Sequence, residues 1–387
     1  MEAHKERALL RCFKQSNQLV QNSFDSITEV VRELKNSYDS LLWQDDIKRF
    51  VKLMMLDGCF MLELLRVAYQ PKNYYSDDDH VFSRYGDLYV VPFIRVDMLL
   101  LENQLPMLLL LKLKYIFKND EPDVEELNKD IFRLFDHDSN NLCYTETKMG
   151  NVSDKKRKRG NGRNNYSKMD KCLHVLDLHR KGLLHTHNQH GNAAPQSLDQ
   201  GEGKNKRSGH NVVRPATELH EAGIHFMKSE SKSLRDITFS NGILKLPNFM
   251  VTDDTELMFL NLIAFERCHI PAGNDITSFV AFMDRIIDGK QDIKILSSKG
   301  IIDNFIGSDE EAADLFNTIS KDLIMEMTGN LDQVYTNLIV YCNKPWNKWR
   351  ANLTQTYFRS PWAIISVIAA ILLFSLATVQ TIFTILN

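Results

Sequence analysis

The sequence predicts a mainly α-helical protein with one small β-hairpin and a single transmembrane helix near its carboxyl end. Three observations predict this fold class. Apolar residues recur at helical spacing in both halves of the chain, and two short alternating segments flank one Asn-Gly pair. Residues 362–386 contain no charged side chain, which is typical of a membrane span rather than of a core helix.

The first helical pattern lies between Asp45 and Val67. Its apolar residues recur every three or four positions, which places them on one face of a helix. The stripe consists of Ile47, Phe50, Val51, Met54, Met61, Leu62 and Leu65. Gly58 lies on the same face, where the lack of a side chain is expected to let another helix pack closely.

A second helical region surrounds Pro106. Asp97 is predicted to cap a helix that runs towards this proline, and another helix is predicted to start at the proline, which is tolerated in a first turn. Leu99–Leu113 is strongly apolar, but its longest uncharged stretch covers only residues 103–111. That stretch is too short to span a bilayer and predicts a buried core element.

The middle of the chain is basic. From Lys148 to Arg214 the net charge is +10, while the rest of the chain carries −13. Polar residues rich in Gly, Asn and His flank Lys168–Leu184, for which a modest amphipathic helix is predicted. The run Lys155, Lys156, Arg157, Lys158 and Arg159 could be a nuclear import signal, a contact with phosphates or anionic lipid, or a solvated charge run without a partner.

The second half begins at Pro215 and contains the hairpin signal. Asn241-Gly242 favours a type I′ turn because both residues accept positive φ angles, and Pro247 is expected to end the second strand. Thr252 or Asp253 is predicted to cap the next helix, with Glu256 completing a capping box. Further helices are predicted at residues 277–287, 307–321 and 331–343.

Residues 362–386 would form a helix about 37 Å long, against a hydrocarbon core of about 30 Å. The preceding flank carries basic and aromatic residues and no acidic ones, which keeps that side in the cytosol. Its candidate site residues are Lys344, Trp346, Lys348, Trp349, Arg350, Arg359 and Trp362. The first residues lack the apolar core of a signal peptide, so we expect a tail-anchored protein of the endoplasmic reticulum or plasma membrane.

The composition, with 43% hydrophobic and 25% charged residues, is that of an ordinary globular protein. The six cysteines contain no C-x-x-C pair and predict reduced cytosolic thiols rather than a disulfide framework. Sequons for N-glycosylation start at Asn151, Asn165 and Asn352, and in a cytosolic protein they would stay unmodified.

Catalytic and metal motifs were sought and not found. His220 and His225 are five residues apart, so one helix could not turn both rings to one metal ion. The segment starting at Asp136 resembles a calcium-binding loop but lacks its central Gly and its final Glu, and the histidines at 185, 187 and 190 have no partner spaced to close a site. We therefore expect no cofactor, no metal, no nucleic-acid partner and no enzymatic activity.

Several motifs resemble the plant domain of unknown function 247 family, also known as UPF0481-type membrane proteins. The order and spacing of these motifs hold across nearly the whole chain. They are residues 56–60 (LDGCF), 101–106 (LENQLP), 216–219 (ATEL), 222–224 (AGI), 261–266 (NLIAFE), 307–311 (GSDEE), 346–351 (WNKWRA) and 361–363 (PWA).

The resemblance implies a plant protein with a carboxy-terminal membrane helix and no established enzymatic activity. Some relatives are associated with self-incompatibility in grasses. Family members usually begin with a segment around a Ser-Ile-Gly-Pro-Tyr-His-His-like motif, and this chain starts just after where it would lie; its basic region also looks expanded. Within the motifs, Asn103 and Gln104 are expected to satisfy a break between helices in the core.

Five segments are predicted: 1–144 and 215–345 as the two parts of the family domain, 145–214 as a basic linker with one helix, 346–361 as the juxtamembrane segment, and 362–386 as the transmembrane helix. The expected function is recognition or signalling, with membrane lipid and cytosolic proteins as partners. One alternative is a membrane-tethered enzyme with an unrecognised site. Another is a protein released by cleavage near Ser360 that enters the nucleus through its basic run.

Overall fold

The computed structural model describes residues 1–16, 20–38, 46–69, 75–76, 78–118, 123–136, 171–185, 213–321, 323, 329–347, 349–350 and 361–386. Helices dominate these residues and the strands are short, which confirms the predicted fold class. The chain forms two compact units. Unit 1 combines Met1–Gln189 with Thr252–Ile276, and unit 2 combines His190–Val251 with Thr277–Asn387. The five predicted segments are consecutive stretches of the sequence, whereas each unit combines two separate stretches. The division into five segments stays a prediction.

The helices of the first half, in chain order, are α1 (Glu2–Ser16), α2 (Val20–Glu29), α3 (Val31–Lys35), α4 (Ile47–Tyr69), α5 (Arg84–Tyr89), α6 (Val91–Asp97), α7 (Met107–Lys118), α8 (Val124–Asp136) and α9 (Val175–Leu184). A 3₁₀ turn at Leu101–Asn103 lies between α6 and α7. The second half contains α10 (Ala216–Glu221), β1 (His225–Lys228), β2 (Thr238–Ser240), β3 (Ile243–Leu246), β4 (Phe249–Val251), α11 (Thr255–Cys268), a 3₁₀ turn (Ile270–Ala272), α12 (Asp275–Ile286), α13 (Lys290–Ser298), β5 (Ile302–Asn304), α14 (Asp309–Ser320), α15 (Asn330–Cys342) and α16 (Pro361–Leu386).

Helix α4 is the centre of unit 1 and packs against α1, α2, α7 and α8. Its bounds agree with the stripe predicted between Asp45 and Val67. The predicted apolar face is the buried one: Phe50 and Val51 are fully buried and Met54 nearly so. Gly58 faces α7, where a Cβ atom would lie 2.3 Å from Cδ1 of Leu113. The predicted close helix packing at this glycine is therefore confirmed.

The prediction around Pro106 is half right. Helix α7 begins directly after the proline, as expected. Asp97, however, is the last residue of α6 and caps no following helix, because Pro92 in the first turn starts that helix upstream. Asn103 donates from Nδ2 to the carbonyl oxygen of Asp97 at 3.0 Å and so satisfies the end of α6.

Helix α9 is shorter than the predicted Lys168–Leu184. It begins at Val175 because His174 accepts a hydrogen bond from the backbone N–H of Asp177 and caps the first turn. Leu173, which lies before this helix, is 47% exposed. Helix α11 returns to unit 1 from the second half of the chain. Its Asn261 accepts a hydrogen bond from the backbone N–H of Leu101 at 2.8 Å.

In unit 2 the hairpin is confirmed. Strands β2 and β3 pair antiparallel, and Asn241 and Gly242 at the turn have φ angles of 51° and 80°. The expectation of a single hairpin is incomplete, because β1 pairs parallel with β3 and β4 pairs parallel with β5. Parallel pairs join segments far apart in sequence, so no turn signal marks them.

The bounds of three later helices agree with the prediction, but the predicted cap of α11 does not. Helices α12, α14 and α15 lie within two residues of their predicted bounds. The capping box with Glu256 is wrong, because Asp254 occupies the cap position and Oγ1 of Thr255 accepts the N–H of Thr252 instead. Strands β4 and β5 pack on helices through Phe249, whose ring meets those of Phe279 and Phe316.

Candidate functional site

A cavity of about 220 Å³ in unit 1 brings together two of the motifs that carry the family resemblance. Asp57 and Phe60 come from α4, and Asn103, Gln104 and Leu105 come from the segment before Pro106. The other lining residues are Met1, Lys5, Met61, Leu64, Ile94, Asp97, Met98 and Val175. The lining thus contains both apolar side chains and polar or charged ones.

The side chain of Gln104 fixes the backbone around this cavity by hydrogen bonds. Its Nε2 atom donates to the carbonyl oxygens of Met98 and Leu100 at 2.7 and 2.6 Å. Its Oε1 atom accepts the N–H of Leu176 at 3.0 Å, and its own carbonyl accepts the hydroxyl of Tyr38. One amide side chain therefore satisfies backbone groups from the break between α6 and α7 and from α9. This is the role that the sequence predicts for the segment.

Two of the three charged side chains that line the cavity, Lys5 and Asp57, form an ion pair, and the third is Asp97. Nζ of Lys5 lies 2.6 Å from Oδ1 of Asp57, and the two side chains are 22% and 24% exposed. Burial raises the pKa of the nearby Tyr38 hydroxyl, and the charge of Asp57 adds to this effect. Sequence reasoning missed Lys5, since no local pattern links residues on α1 to the motif on α4.

Several polar groups of the cavity are already engaged within the fold. The amides of Asn103 and Gln104 are used in backbone hydrogen bonds, and Lys5 and Asp57 neutralise each other. The cavity therefore offers apolar side chains beside charged ones, a lining that suits a small amphipathic group. Its volume is below the usual range of about 300–1,000 Å³ for small-molecule sites.

A second cavity in unit 1, of about 500 Å³, has a charged lining. Its charged residues are Glu63, Arg66, Lys114, Lys118, Glu126, Asp130 and Arg133. Glu63 is buried and accepts hydrogen bonds from Arg66 and from the Tyr75 hydroxyl. Lys114 reaches Glu126 at 3.2 Å and Asp130 at 3.4 Å. Burial raises the pKa of Glu126, but the ammonium groups of Lys114 and Lys118 outweigh it and lower the pKa overall.

Helix α16 is the candidate membrane element. Ile365–Ile385 is long and apolar enough to cross a membrane, and none of that segment is buried. Four of its hydroxyl groups are satisfied within the helix, because each donates to a carbonyl oxygen of the preceding turn. The bonds are Ser375 to Ile371, Thr378 to Phe374, Thr381 to Ala377 and Thr384 to Gln380, at 2.6–2.7 Å. These four hydroxyl groups therefore need no partner from the lipid.

The residues predicted to flank this helix are partly brought together. The rings of Trp346 and Trp349 lie 5.3 Å apart and are 70% and 55% exposed. Nζ of Lys344 lies 5.4 Å from the ring centre of Tyr341. Arg350 contacts Gly223 of unit 2, and Trp362 lies in the first turn of α16. Lys348, Arg359 and the basic run at residues 155–159 lie outside the described residues.

The described residues include no group of three His, Cys, Asp or Glu side chains that could hold a metal ion. His220 lies in α10 and His225 begins β1, with Gly223 between them at a φ of +91°. Most of the calcium-loop segment after Asp136 and the histidines at 187 and 190 lie outside the described part of the chain. The described cysteines are free thiols.

Comparisons with known proteins agree with the motifs. A family model described as "Plant protein of unknown function", DUF247, matches residues 1–376. A UPF0481 protein of Arabidopsis thaliana is 28% identical over 375 residues, which cover 94% of this chain and 73% of the relative. A second UPF0481 protein of the same plant is 28% identical over 162 residues, 41% of this chain and 31% of the relative. No solved structure matches the chain.

Proposed function

The chain belongs to the DUF247 family of plant proteins of unknown function, and we propose that it is a membrane-anchored recognition protein rather than an enzyme. In this proposal α16 crosses the endoplasmic reticulum membrane or the plasma membrane, and unit 1 and the part of unit 2 before α16 lie in the cytosol. The units bind other cytosolic proteins and hold them at the membrane.

The observation that carries the proposal is the exposure of α16. An apolar segment of 21 residues without any buried part would be unstable in water, where large exposed apolar surface drives association. In a bilayer the same surface is favourable, and the hydroxyl groups bonded within the helix add little cost. The exposed indoles of Trp346 and Trp349 suit the interface beside the span.

The cavity between α4 and the segment before Pro106 supports a binding role. Its amides are used in the fold, so a ligand would meet apolar side chains, the Lys5–Asp57 pair and the carboxylate of Asp97. An apolar side chain of a partner would fill such a volume. Buried apolar anchors of this kind contribute much of the binding energy in protein complexes.

The anchor is tested by extracting membranes with carbonate and treating them with protease, using protein tagged at both ends. The expected protein resists extraction and loses its amino tag to the protease. A protein that is extracted, or an amino tag that is protected, would contradict the proposal.

The role of the cavity in binding is tested by two tryptophan substitutions at neighbouring exposed residues. One of these residues lines the cavity and the other does not. Asn103→Trp should plug the cavity and abolish cross-linking of partners to the anchored protein, whereas Glu102→Trp should leave the cross-links intact. Equal cross-linking in both variants would exclude the cavity as the binding site.

A membrane-tethered enzyme is the second candidate, favoured by the charged cavity around Lys114. Titratable groups of both signs in one concave site are typical of catalytic sites. The test is to incubate the reconstituted protein with a plant metabolite extract and follow it by mass spectrometry. Conversion of a compound by the native chain and not by Lys114→Gln would favour the enzyme; unchanged extracts would favour recognition.

A further inference from the structure

Gln380 is a polar residue inside the apolar segment of α16. Its amide side chain makes no hydrogen bond with any residue that the structure describes. The nearby hydroxyl groups of Thr378, Thr381 and Thr384 differ from it, because each donates to a carbonyl oxygen of the helix. An amide carries two N–H donors and an acceptor oxygen, so the hydrogen-bonding capacity of Gln380 is unused within one chain.

Gln380 lies deep in the span. The candidate span runs from Ile365 to Ile385, so its middle is Ser375 and Gln380 follows five residues later. With the span centred in a bilayer, a rise of about 1.5 Å per residue places Gln380 about 7.5 Å from the middle of a hydrocarbon core whose half-thickness is about 15 Å. Snorkelling from such a depth is characteristic of the longer Lys and Arg side chains. In lipid the amide is therefore unsatisfied until another protein group meets it.

The side of α16 that carries Gln380 suits contact with another helix. We call it the Gln380 face and define it as Ser366, Ala369, Leu373, Leu376, Gln380 and Phe383. These residues recur every three or four positions, as the contact residues of paired helices do. All six are exposed, so the described part of the chain leaves this face uncovered. The two small residues at its start let a second helix approach closely.

The chemistry of the amide indicates which helix covers this face. A glutamine side chain is both donor and acceptor, so two of them can bond to each other reciprocally. Two copies of this chain that are anchored in the same direction carry Gln380 at the same depth in the bilayer. A single polar residue at such a contact position also fixes the register and the number of helices in soluble coiled coils. The Gln380 face therefore fits a second copy of itself in parallel orientation.

We propose that α16 forms a parallel homodimer in the membrane, with the Gln380 amides of the two copies hydrogen-bonded to each other. This inference rests on the proposed function, since it requires α16 to span a membrane in one direction. The dimer would hold two copies of the cytosolic part side by side. A partner with two matching sites would then bind with higher avidity than one copy alone provides.

The test measures self-association of the full chain in phosphatidylcholine vesicles. The chain is labelled at its amino end with a donor or an acceptor fluorophore, and energy transfer is followed as the protein is diluted with lipid. Because the vesicles contain no other protein, energy transfer above that of random encounters reports a complex between copies of this chain.

The matched variants are Gln380→Leu, which removes the amide, and Thr381→Val. Thr381 is the next residue and points about 100° round the helix. Its hydroxyl already donates to the carbonyl oxygen of Ala377 at 2.7 Å, so its removal takes no hydrogen bond from a dimer. Gln380→Asn keeps a shorter amide at the same position.

We expect Gln380→Leu to raise the dissociation constant of the dimer in the membrane about tenfold, and Thr381→Val to change it less than about twofold. Gln380→Asn should retain most of the association. A native chain without specific energy transfer, or equal effects of Gln380→Leu and Thr381→Val, would overturn the proposal. Association that is unchanged by Gln380→Leu would also overturn it, by locating the contact between copies outside the Gln380 face.

Failure of the anchor would be seen separately. In that case carbonate would extract the chain from the vesicles before energy transfer is measured. A chain that resists extraction but shows no specific energy transfer would leave the anchor intact and exclude the homodimer.

Discussion

Helices α4 and α7 are in close contact at Gly58. We predict that Gly58→Ala destabilises the native protein but stabilises a variant in which Leu113 is replaced by Ala. A Cβ atom on Gly58 would lie 2.3 Å from Cδ1 of Leu113 and 3.4 Å from Cδ2 of Leu109. Both leucines are fully buried, so the helices must move apart to relieve the clash. Overpacking of this kind costs about 1–3 kcal/mol, while replacing a helical Gly by Ala returns about 1 kcal/mol.

We therefore expect Gly58→Ala to lower the free energy of unfolding by about 1 kcal/mol. Leu113→Ala alone should lower it by about 2–5 kcal/mol, because it leaves a cavity in the core. In that background the clash is gone, so adding Gly58→Ala should raise the stability by about 1 kcal/mol.

The assay is urea unfolding of the full chain in mild detergent, followed by far-ultraviolet circular dichroism. The four proteins form a double-mutant cycle in which the effect of Gly58→Ala reverses sign. If Gly58→Ala stabilises the wild-type background, or destabilises both backgrounds alike, the packing argument is refuted.

Three further predictions concern stability. Glu266→Ala should lower the free energy of unfolding, measured with urea, by about 3 kcal/mol, because it removes the nearest carboxylate from the buried Arg180 and leaves Asp275 at 3.6 Å. Glu310→Ala, at the exposed pair with Lys290, should lower it by less than about 1 kcal/mol, and similar losses in the two variants would contradict the reasoning. Burial lowers the pKa of His179 to about 4, so the unfolded state binds more protons below the ordinary pKa of 6.5 and acidification destabilises the fold. Between about pH 7 and about pH 5, protonation of His179 in the unfolded state lowers the free energy of unfolding by about 2 kcal/mol. His179→Gln should remove this part of the pH dependence. The part that comes from His174, whose pKa burial also lowers, should remain. An unchanged pH dependence in the variant would show that His179 is not buried in its neutral form. Gly242→Ala should lower the melting temperature, because Gly242 has a φ of +80° and a Cβ atom there would lie 2.6 Å from the Tyr341 hydroxyl. Asn241→Gly should leave the melting temperature nearly unchanged. Equal changes in melting temperature would contradict the turn assignment.

The sequence predicts those parts of the fold that local patterns determine. The apolar period identifies α4, Pro106 marks the start of α7, and Asn241-Gly242 identifies the hairpin turn. Asp97 misled the prediction because an acidic residue before an apolar run resembles a cap, while Pro92 had already started α6 upstream.

Contacts between distant segments could not be predicted. The parallel pairs β1–β3 and β4–β5 involve strands of three or four residues with no turn between them. The pairing of Lys5 with Asp57, and of Arg350 with Gly223, depends on how helices and turns pack in three dimensions. The motifs therefore identify segments that line the cavity, but the ion pair of Lys5 with Asp57 is known only from the structure.

The most direct test of the membrane topology uses the sequons of the chain itself. Asn151, Asn165 and Asn352 all precede α16, and a further sequon can be added after Asn387. When the protein is made in plant cells, we expect endoglycosidase to remove a glycan from the added sequon and from none of the three native ones. A glycan on any native sequon, or none on the added one, would contradict a cytosolic body held by α16.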